Sequence, residues 1–321
     1  PKDPNNPLVR FQDWKQRKGY ITKVVDVTTL PLGNTSASIQ DYIQDAYDDW
    51  DIVPTYVLLV GDSEFIPTAY GAVHTYPHYP AGTQVATDLY YTTVHGTDYF
   101  PDIFLGRLSV DTLAETEDVI DKILDYERNP SNVADYYNNV SLVALFEDDT
   151  DLPLPDPAPE DGDEDRIWIE SAEEIRTHLL NKGYGVQRIY ATSSGFPGDP
   201  TSSIPQTYQD GTALPADLQN ANGFAWDGDT NDIEDAINDG RFLINYRDHG
   251  GRGGWSHPAF ANGDVDGLTN GLRMPVIFSI ACENGWFDNE TDAAGLGTLA
   301  NSESVCEHFL RHGTGGAIAI I

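Results

Sequence analysis

Phe242-Leu243-Ile244-Asn245-Tyr246-Arg247-Asp248-His249-Gly250-Gly251 is an apolar run that closes on a histidine and two glycines. A second run, Pro275-Val276-Ile277-Phe278-Ser279-Ile280-Ala281-Cys282, closes on a cysteine. Both read as strand ends. In open α/β sheets, ligands bind outside the carboxyl ends of the strands. Two such ends present a base, His249, and a nucleophile, Cys282, to one crevice, and the pattern predicts a cysteine hydrolase.

The rest of the chain alternates in the same way. Tyr20–Val27 reads as a strand and 38–50 as a helix with Ile39, Tyr42, Ile43 and Ala46 on one side. The run 56–62 has the continuous apolar character of a buried parallel strand ending in Gly-Asp, and 103–108 is a further strand candidate. A long helix follows over 112–128, ended by Asn129-Pro130. Between them, 67–101 is rich in Tyr, His, Pro, Thr and Gly and reads as a long loop region. The second half continues with strands over 139–146 and 185–190 and helices over 171–181 and 230–238. After the two strands of the opening, 302–312 reads as a helix and 316–321 begins another strand, so the pattern predicts that the native chain continues. Strands alternating with helices predict an α/β fold of mainly parallel sheets flanked by helices. The boundary is expected near Pro130, giving an N-terminal α/β subdomain of 1–132 and a C-terminal subdomain of 133–321. From Glu147 to Asp165 the sequence turns acidic and is broken by prolines, which reads as an exposed loop.

The chain has 321 residues, about two domains' worth, with 40% hydrophobic residues. Its 52 Asp and Glu against 18 Lys and Arg give a formal charge of −34. Phosphate binding needs the opposite sign, so nucleic acid and anionic membranes are excluded as expected partners. Such a surface with only six lysines suggests a halophilic, salt-rich habitat or a calcium-rich exterior. No stretch reaches the length of a transmembrane segment. The two cysteines, Cys282 and Cys306, are too few for a disulfide framework, and Cys306, on a predicted helix with Val305 and Phe309, reads as core.

In their order, several pieces resemble the gingipains, the C25 peptidases of the caspase-like clan. They are Leu58-Leu59-Val60-Gly61-Asp62 with Ile66-Pro67, Phe104-Leu105-Gly106-Arg107, and Tyr126-Glu127-Arg128-Asn129. The set continues with Asn245-Tyr246 before His249-Gly250, then Trp255, Ile280-Ala281-Cys282 with Asn284-Gly285, and Ala317 to Ile321. The resemblance implies a caspase-like fold of two α/β subdomains and a cysteine endopeptidase acting through an acyl-thioester. It also implies protein or peptide substrates, a propeptide, and a secreted or cell-surface location.

A thiolate, not a thiol, is the nucleophile, so Cys282 needs a neighbour for its proton, and His249 is that base. The backbone N–H groups of Gly250 and Cys282 are the expected oxyanion donors, because a glycine beside the histidine lets a carbonyl approach the main chain. The resemblance makes Glu147 the residue that orients His249, with Asp148 and Asp149 as rivals. It makes Trp255 an aromatic wall of the substrate pocket, with packing as the alternative, and places Ile280 beside the substrate, while His257 follows closely enough to line the cleft or else lies at the surface.

The departures bear on specificity. Where the family carries a small Thr-Gly pair before the histidine, this chain has Arg247-Asp248. An arginine there disfavours a basic residue before the scissile bond unless an acid neutralises it, and attracts an acidic one. The pocket aspartate of the family's basic-specific members has Asp163 and Asp165 as its candidates here. Calcium is the expected structural cofactor, with Asp88, Asp98 and Asp102 in one loop region and Asp264 and Asp266 in another as ligand candidates. Zinc is not expected, since no paired His or Cys spacing occurs. The alternatives are a sorting peptidase or transpeptidase of the same family and a catalytically silent calcium-binding interaction domain.

Overall fold

The computed structural model describes residues 3, 5–73, 84–148, 161–192, 204–288 and 303–321. The chain divides into two compact units, one of residues 1–128 with 286–313 and one of 129–285 with 314–321.

The first unit opens on a helix that the sequence reading did not contain, α1 (Pro7–Arg17). Asn6 caps it by accepting from the Leu8 amide, and Pro7 stands at the first turn, where its missing N–H leaves no bond unmade. The expected strand over Tyr20–Val27 does not form: the segment carries no regular structure before a 3₁₀ turn at Val27–Thr29, and Ile21 and Val24 face solvent. Alternation alone does not make a strand without a neighbour to complete its ladder. Helix α2 (Ser36–Asp49) is capped by Thr35 and buries Ile39, Ile43 and Ala46. Next come β1 (Tyr56–Val60), an antiparallel pair β2 (Ala69–Val73) and β3 (Gln84–Thr87), and β4 (Phe104–Leu108), which runs parallel to β1. The segment read as a loop region thus carries a strand pair. Strand β1 was expected to be buried on both faces. Only one face is covered, and on the other Tyr56 stacks on Phe104 in the open. Helix α3 (Leu113–Arg128) buries Val119, Ile120 and Leu124.

The second unit holds the main sheet. Strand β5 (Asn139–Phe146) is buried from Val140 to Phe146, so both its faces are covered, as a continuous apolar run requires. Helix α4 (Trp168–Asn181) crosses to β6 (Gly185–Thr192), and α5 (Thr230–Asp239) precedes β7 (Leu243–Arg247). A small antiparallel sheet follows, β8 (Gly250–Gly251), β9 (Gly254–Ser256) and β10 (Ala259–Ala261), then a short α6 (Asn262–Val265) and β11 (Val276–Ile280). With the final β12 (Ala319–Ile320) the main sheet is five-stranded and parallel, in the order β12-β11-β7-β5-β6. The chain leaves β5 toward β6 on one side and returns to β7 on the other. The strand order therefore reverses at β5/β7, the place where such sheets open a crevice. On the α4 face, Val140, Leu142, Ala144 and Phe146 pack with Ile169, Ala172, Tyr190 and Trp226.

Helix α4 begins three residues before the expected 171. Glu164 lies across its first turn and accepts from the Ile169 and Glu170 amides. Burial pushes this carboxyl up to about 8, against the pull of those donors.

Helix α7 (Val305–Arg311) belongs to the first unit, where the sequence boundary at 132/133 had assigned 286–313 to the second. Polar bonds to the first unit account for this. Arg311 bonds the Ser109 carbonyl and pairs with Asp62 and Asp111, Glu307 accepts from Ser109, and Lys122 of α3 donates to the carbonyls of Leu310 and His312 at 2.9 Å each. Among the described residues no helix is long and apolar enough to cross a membrane.

Two stability predictions follow from these contacts. Burial holds the Lys122 amine down to about 7. A depressed folded value means its contribution is complete above about 10.5 and declines as pH falls through about 7. Lys122→Met should cost about 1–3 kcal/mol in urea unfolding at pH 9 and less at pH 6. For Glu164 the folded value is raised, so its contribution is complete below about 4.5 and lost as pH rises through about 8. Thermal melts of Glu164→Gln should match the unsubstituted chain at pH 5 and exceed it at pH 9. Equal midpoints at both pH values would mean that the carboxyl keeps its ordinary titration in the fold.

Candidate active site

Strands β11, β7 and β5 are neighbours, and Ile280, Arg247 and Ala144 stand level across them. Cys282 and His249 come two residues after that level and Glu147 three, so three chemical side chains leave one edge of the sheet together. His249 Nε2 lies 2.7 Å from Glu147 Oε1, and Glu147 is 3% exposed. A charge-assisted bond of this length fixes the ring and leaves Nδ1 as the nitrogen free to exchange a proton. The Trp168 ring meets His249 edge-on, with centroids 4.9 Å apart.

The Cys282 turn is fixed by a chain of hydrogen bonds from the small sheet. Trp255 Nε1 donates to Ser279 Oγ at 2.8 Å, and Ser279 donates to Asn284 Oδ1 at 2.8 Å. Asn284 Nδ2 in turn donates to the carbonyls of Gly251 at 2.6 Å and Gly254 at 3.1 Å. This ties the turn after β11 to the loop after β7. Gly250 is required by the closeness of that contact: a Cβ there would lie 2.8 Å from Asn284 Nδ2 and 2.9 Å from Ala281 Cβ. Glu283, directly after the cysteine, has φ 62, a left-handed conformation that a residue with a long side chain adopts only when its surroundings impose it. Cys282 itself is exposed and has a free thiol.

The rivals for the acid role separate. Asp148 is turned away and accepts from the amides of Asp161 and Gly162, which closes the base of the acidic loop. Asp149 lies outside the described residues, as does most of that loop. Arg166 Nε stands 3.1 Å from Glu147 Oε2, close enough for charge attraction though misaligned for a hydrogen bond. Its guanidinium also covers the Trp168 ring at 5.7 Å. Arg166, Trp168 and the clamp formed by Asn284 were not assigned roles from sequence. The one available signal was an Arg and a Trp two residues apart between the acidic loop and a helix.

Other expected positions differ. Trp255 is 4% exposed and stacked on Tyr246 with centroids 4.3 Å apart, so it packs beneath the site instead of walling a pocket. His257 is partly exposed and reaches toward Asp248, with Nδ1 3.5 Å from its Oδ2. Ile280 is 44% exposed and open to a ligand. Asp163 accepts from the Thr207 hydroxyl, and the Asp165 amide donates to the Glu147 carbonyl, so both serve the loop that leads into α4. Cys306 lies half-buried on α7.

The expected calcium ligands do not assemble. Asp88 forms a two-pronged pair with Arg107, Asp98 accepts from the Phe100 amide, and Asp102 accepts from the amides of Val94 and His95. Asp264 caps α6 by accepting from the Ala261 amide. Among the described residues the carboxylates that converge are Asp62, Glu64 and Asp111, and Arg311 already pairs with two of them. Asp88, Asp98, Asp102 and Asp264 are thus engaged within the protein, and none of them belongs to a converging carboxylate group among the described residues.

The whole chain, residues 1–321, matches the model of peptidase family C25. It is 26% identical to Gingipain R2 of Porphyromonas gingivalis over 277 residues, which is 86% of this chain and 30% of that protein. It is 25% identical to Lys-gingipain W83 of the same organism, over 86% of this chain and 13% of the other. Among solved structures it is similar to the complex of Porphyromonas gingivalis RgpB pro- and mature domains, with a TM-score of 0.70 and 25% identity over 100% of this chain and 62% of the other. The Arg-specific cysteine proteinase gingipain R follows at a TM-score of 0.68 and 25% identity, over 97% of this chain and 58% of the other. The chain thus spans less than a third of the curated relatives it matches. Three strand ends that meet at the reversal of a parallel sheet, bearing Glu, His and Cys, agree with the sequence match, and the chain belongs to peptidase family C25.

Proposed function

We propose that the chain is a cysteine endopeptidase in which Cys282 is the nucleophile, His249 the proton carrier and Glu147 the residue that orients it. The observation that carries this reading is the 2.7 Å contact between His249 and a buried Glu147, with Cys282 exposed at the end of the adjoining strand. The Cys282 sulfur attacks the scissile carbonyl carbon as its proton passes to His249. Collapse of the tetrahedral intermediate expels the amine, which takes that proton, and leaves an acyl-thioester on the sulfur. Water, deprotonated by His249, then releases the acid and restores the thiol. Backbone N–H groups at Gly250 and Cys282 are the proposed donors to the developing oxyanion, each worth about 3 kcal/mol of barrier. The imidazolium formed during the reaction faces the buried Glu147, whose charge offsets it.

A free, exposed thiol on a clamped turn favours this reading over a silent interaction domain. Secretion or cell-surface placement belongs to the same proposal, as does a propeptide partner, since one similar structure is a complex of pro- and mature domains.

The test is hydrolysis of a peptide library by the purified chain. Cys282→Ala should abolish turnover, and His249→Ala should lower kcat/KM by about 10²- to 10⁴-fold. Glu147→Gln should lower kcat more than it changes KM. Full activity in Cys282→Ala would overturn the reading. Gly250→Ala supplies a geometric check: displacing the Ala281–Asn284 turn should lower kcat/KM at least tenfold while the circular dichroism spectrum is unchanged.

A further inference from the structure

Resting on the peptidase reading above, the substrate side chain that this site selects follows from the row of residues below it. Leu243 packs under α4 with Ala144, and side chains two apart on a strand share a face. Asn245 and Arg247 therefore lie on the α4 face of β7, and Arg247 stands level with Ile280 and Ala144. That is the face on which Trp168 meets His249, at the edge where Cys282 leaves β11.

Arg247 is half-buried, and its Nε is enclosed with no hydrogen-bond partner among the described residues. No carboxylate among them pairs with it either. This is contrary to expectation in a chain with 52 acidic residues for 18 cations. Arg166 and Arg252, by contrast, face carboxylates: Arg166 Nε lies 3.1 Å from Glu147 Oε2, and Arg252 Nε 3.9 Å from Glu283 Oε2. Of the two aspartates that would turn the site toward a basic substrate, Asp163 accepts from the Thr207 hydroxyl, and Asp165 is held through its amide by the Glu147 carbonyl. Asn245 Oδ1, one step along the same row and 9% exposed as a residue, is a second buried polar atom without a partner among the described residues. Buried polar groups in native proteins are satisfied by something, and two on one row of β7 below His249 remain open to a polar ligand.

We propose that Arg247 receives an acidic side chain of the substrate immediately before the scissile bond, so that this peptidase cleaves after Asp or Glu. A guanidinium presents a planar fork that matches a carboxylate, and on a shielded wall it repels Arg and Lys. One similar structure is that of an Arg-specific cysteine proteinase, and this chain would be opposite to it in charge preference.

The experiment compares fluorogenic peptides that differ only in that residue, Asp, Glu, Gln, Arg or Lys, with the unsubstituted chain, Arg247→Gln and Arg247→Glu. The unsubstituted chain should cleave the Asp or Glu peptide at least tenfold faster, by kcat/KM, than the Arg or Lys peptide. Arg247→Gln should reduce that ratio at least tenfold, and Arg247→Glu should invert it. The ranking of the unsubstituted chain does not depend on whether a variant folds. Preference for Arg or Lys, or an unmoved ratio in a folded Arg247→Gln, would overturn the assignment while leaving the peptidase reading standing. Cleavage of no peptide at all would overturn both.

Discussion

Parallel pairing of β5, β7 and β11 in one level register is the constraint from which the site takes its form. A parallel strand sends its carboxyl end to the same edge as its neighbours, and each return connection must travel the length of the sheet. Three chemical residues from positions as distant as 147, 249 and 282 therefore meet without any local sequence proximity. The pairing also decides what can vary. A slip of one residue in β7 would turn Arg247 and Leu243 to the opposite face and remove Leu243 from the core under α4. The hydrophobic core and the proposed catalytic arrangement thus depend on the same register, and the packing of Leu142, Ala144 and Phe146 holds the three residues in place at a distance.

Register alone leaves the turn after β11 undetermined, and polar contacts complete it. Trp255, Ser279 and Asn284 form a chain of buried donors and acceptors in which Asn284 is 2% exposed. Networks of this kind are stiff when every member is satisfied, because each unmade bond costs about 1–3 kcal/mol in an enclosed setting. That stiffness is what can hold Glu283 at a positive φ beside the cysteine. Tyr246 supports the network from beneath: its ring stacks on Trp255, and its hydroxyl donates toward the His249 carbonyl while accepting from the Ser256 amide. The aromatic pair therefore links the loop after β7 to the strand that carries Asn284's partner.

Much of this was legible in the chain. The continuous apolar runs ending on His249 and Cys282 became β7 and β11, and the alternation of helix and strand gave the parallel sheet. What was not legible depends on neighbours that a sequence does not display. Tyr20–Val27 has strand composition, yet its outcome rests on whether another strand lies beside it. Trp255 has the composition of a pocket wall, and only its stacking on Tyr246 places it inside. Helix α7 lies near β12 in sequence, but Arg311, Glu307 and the Lys122 bonds assign it to the other unit, and those partners are about 190 to 250 residues away. The calcium candidates are ambiguous for a related reason: an aspartate in a loop reads the same whether it binds a cation, caps a turn or pairs with Arg107.

That last ambiguity has a physical basis in the charge balance. With 52 carboxylates and 18 cations, acids compete for every arginine, and most arginines are taken up in pairs such as Arg107 with Asp88 or Arg188 with Glu173 and Asp217. Arginine suits this role because its guanidinium is less strongly hydrated than an ammonium and binds a carboxylate through two parallel bonds. The surplus acids repel one another across the surface, and salt shortens the reach of that repulsion to about 8 Å at physiological strength. In such a background an aspartate cluster carries little information, because acids are everywhere. A guanidinium such as that of Arg247, whose Nε is enclosed and meets no carboxylate among the described residues, carries more, since acids outnumber cations nearly three to one.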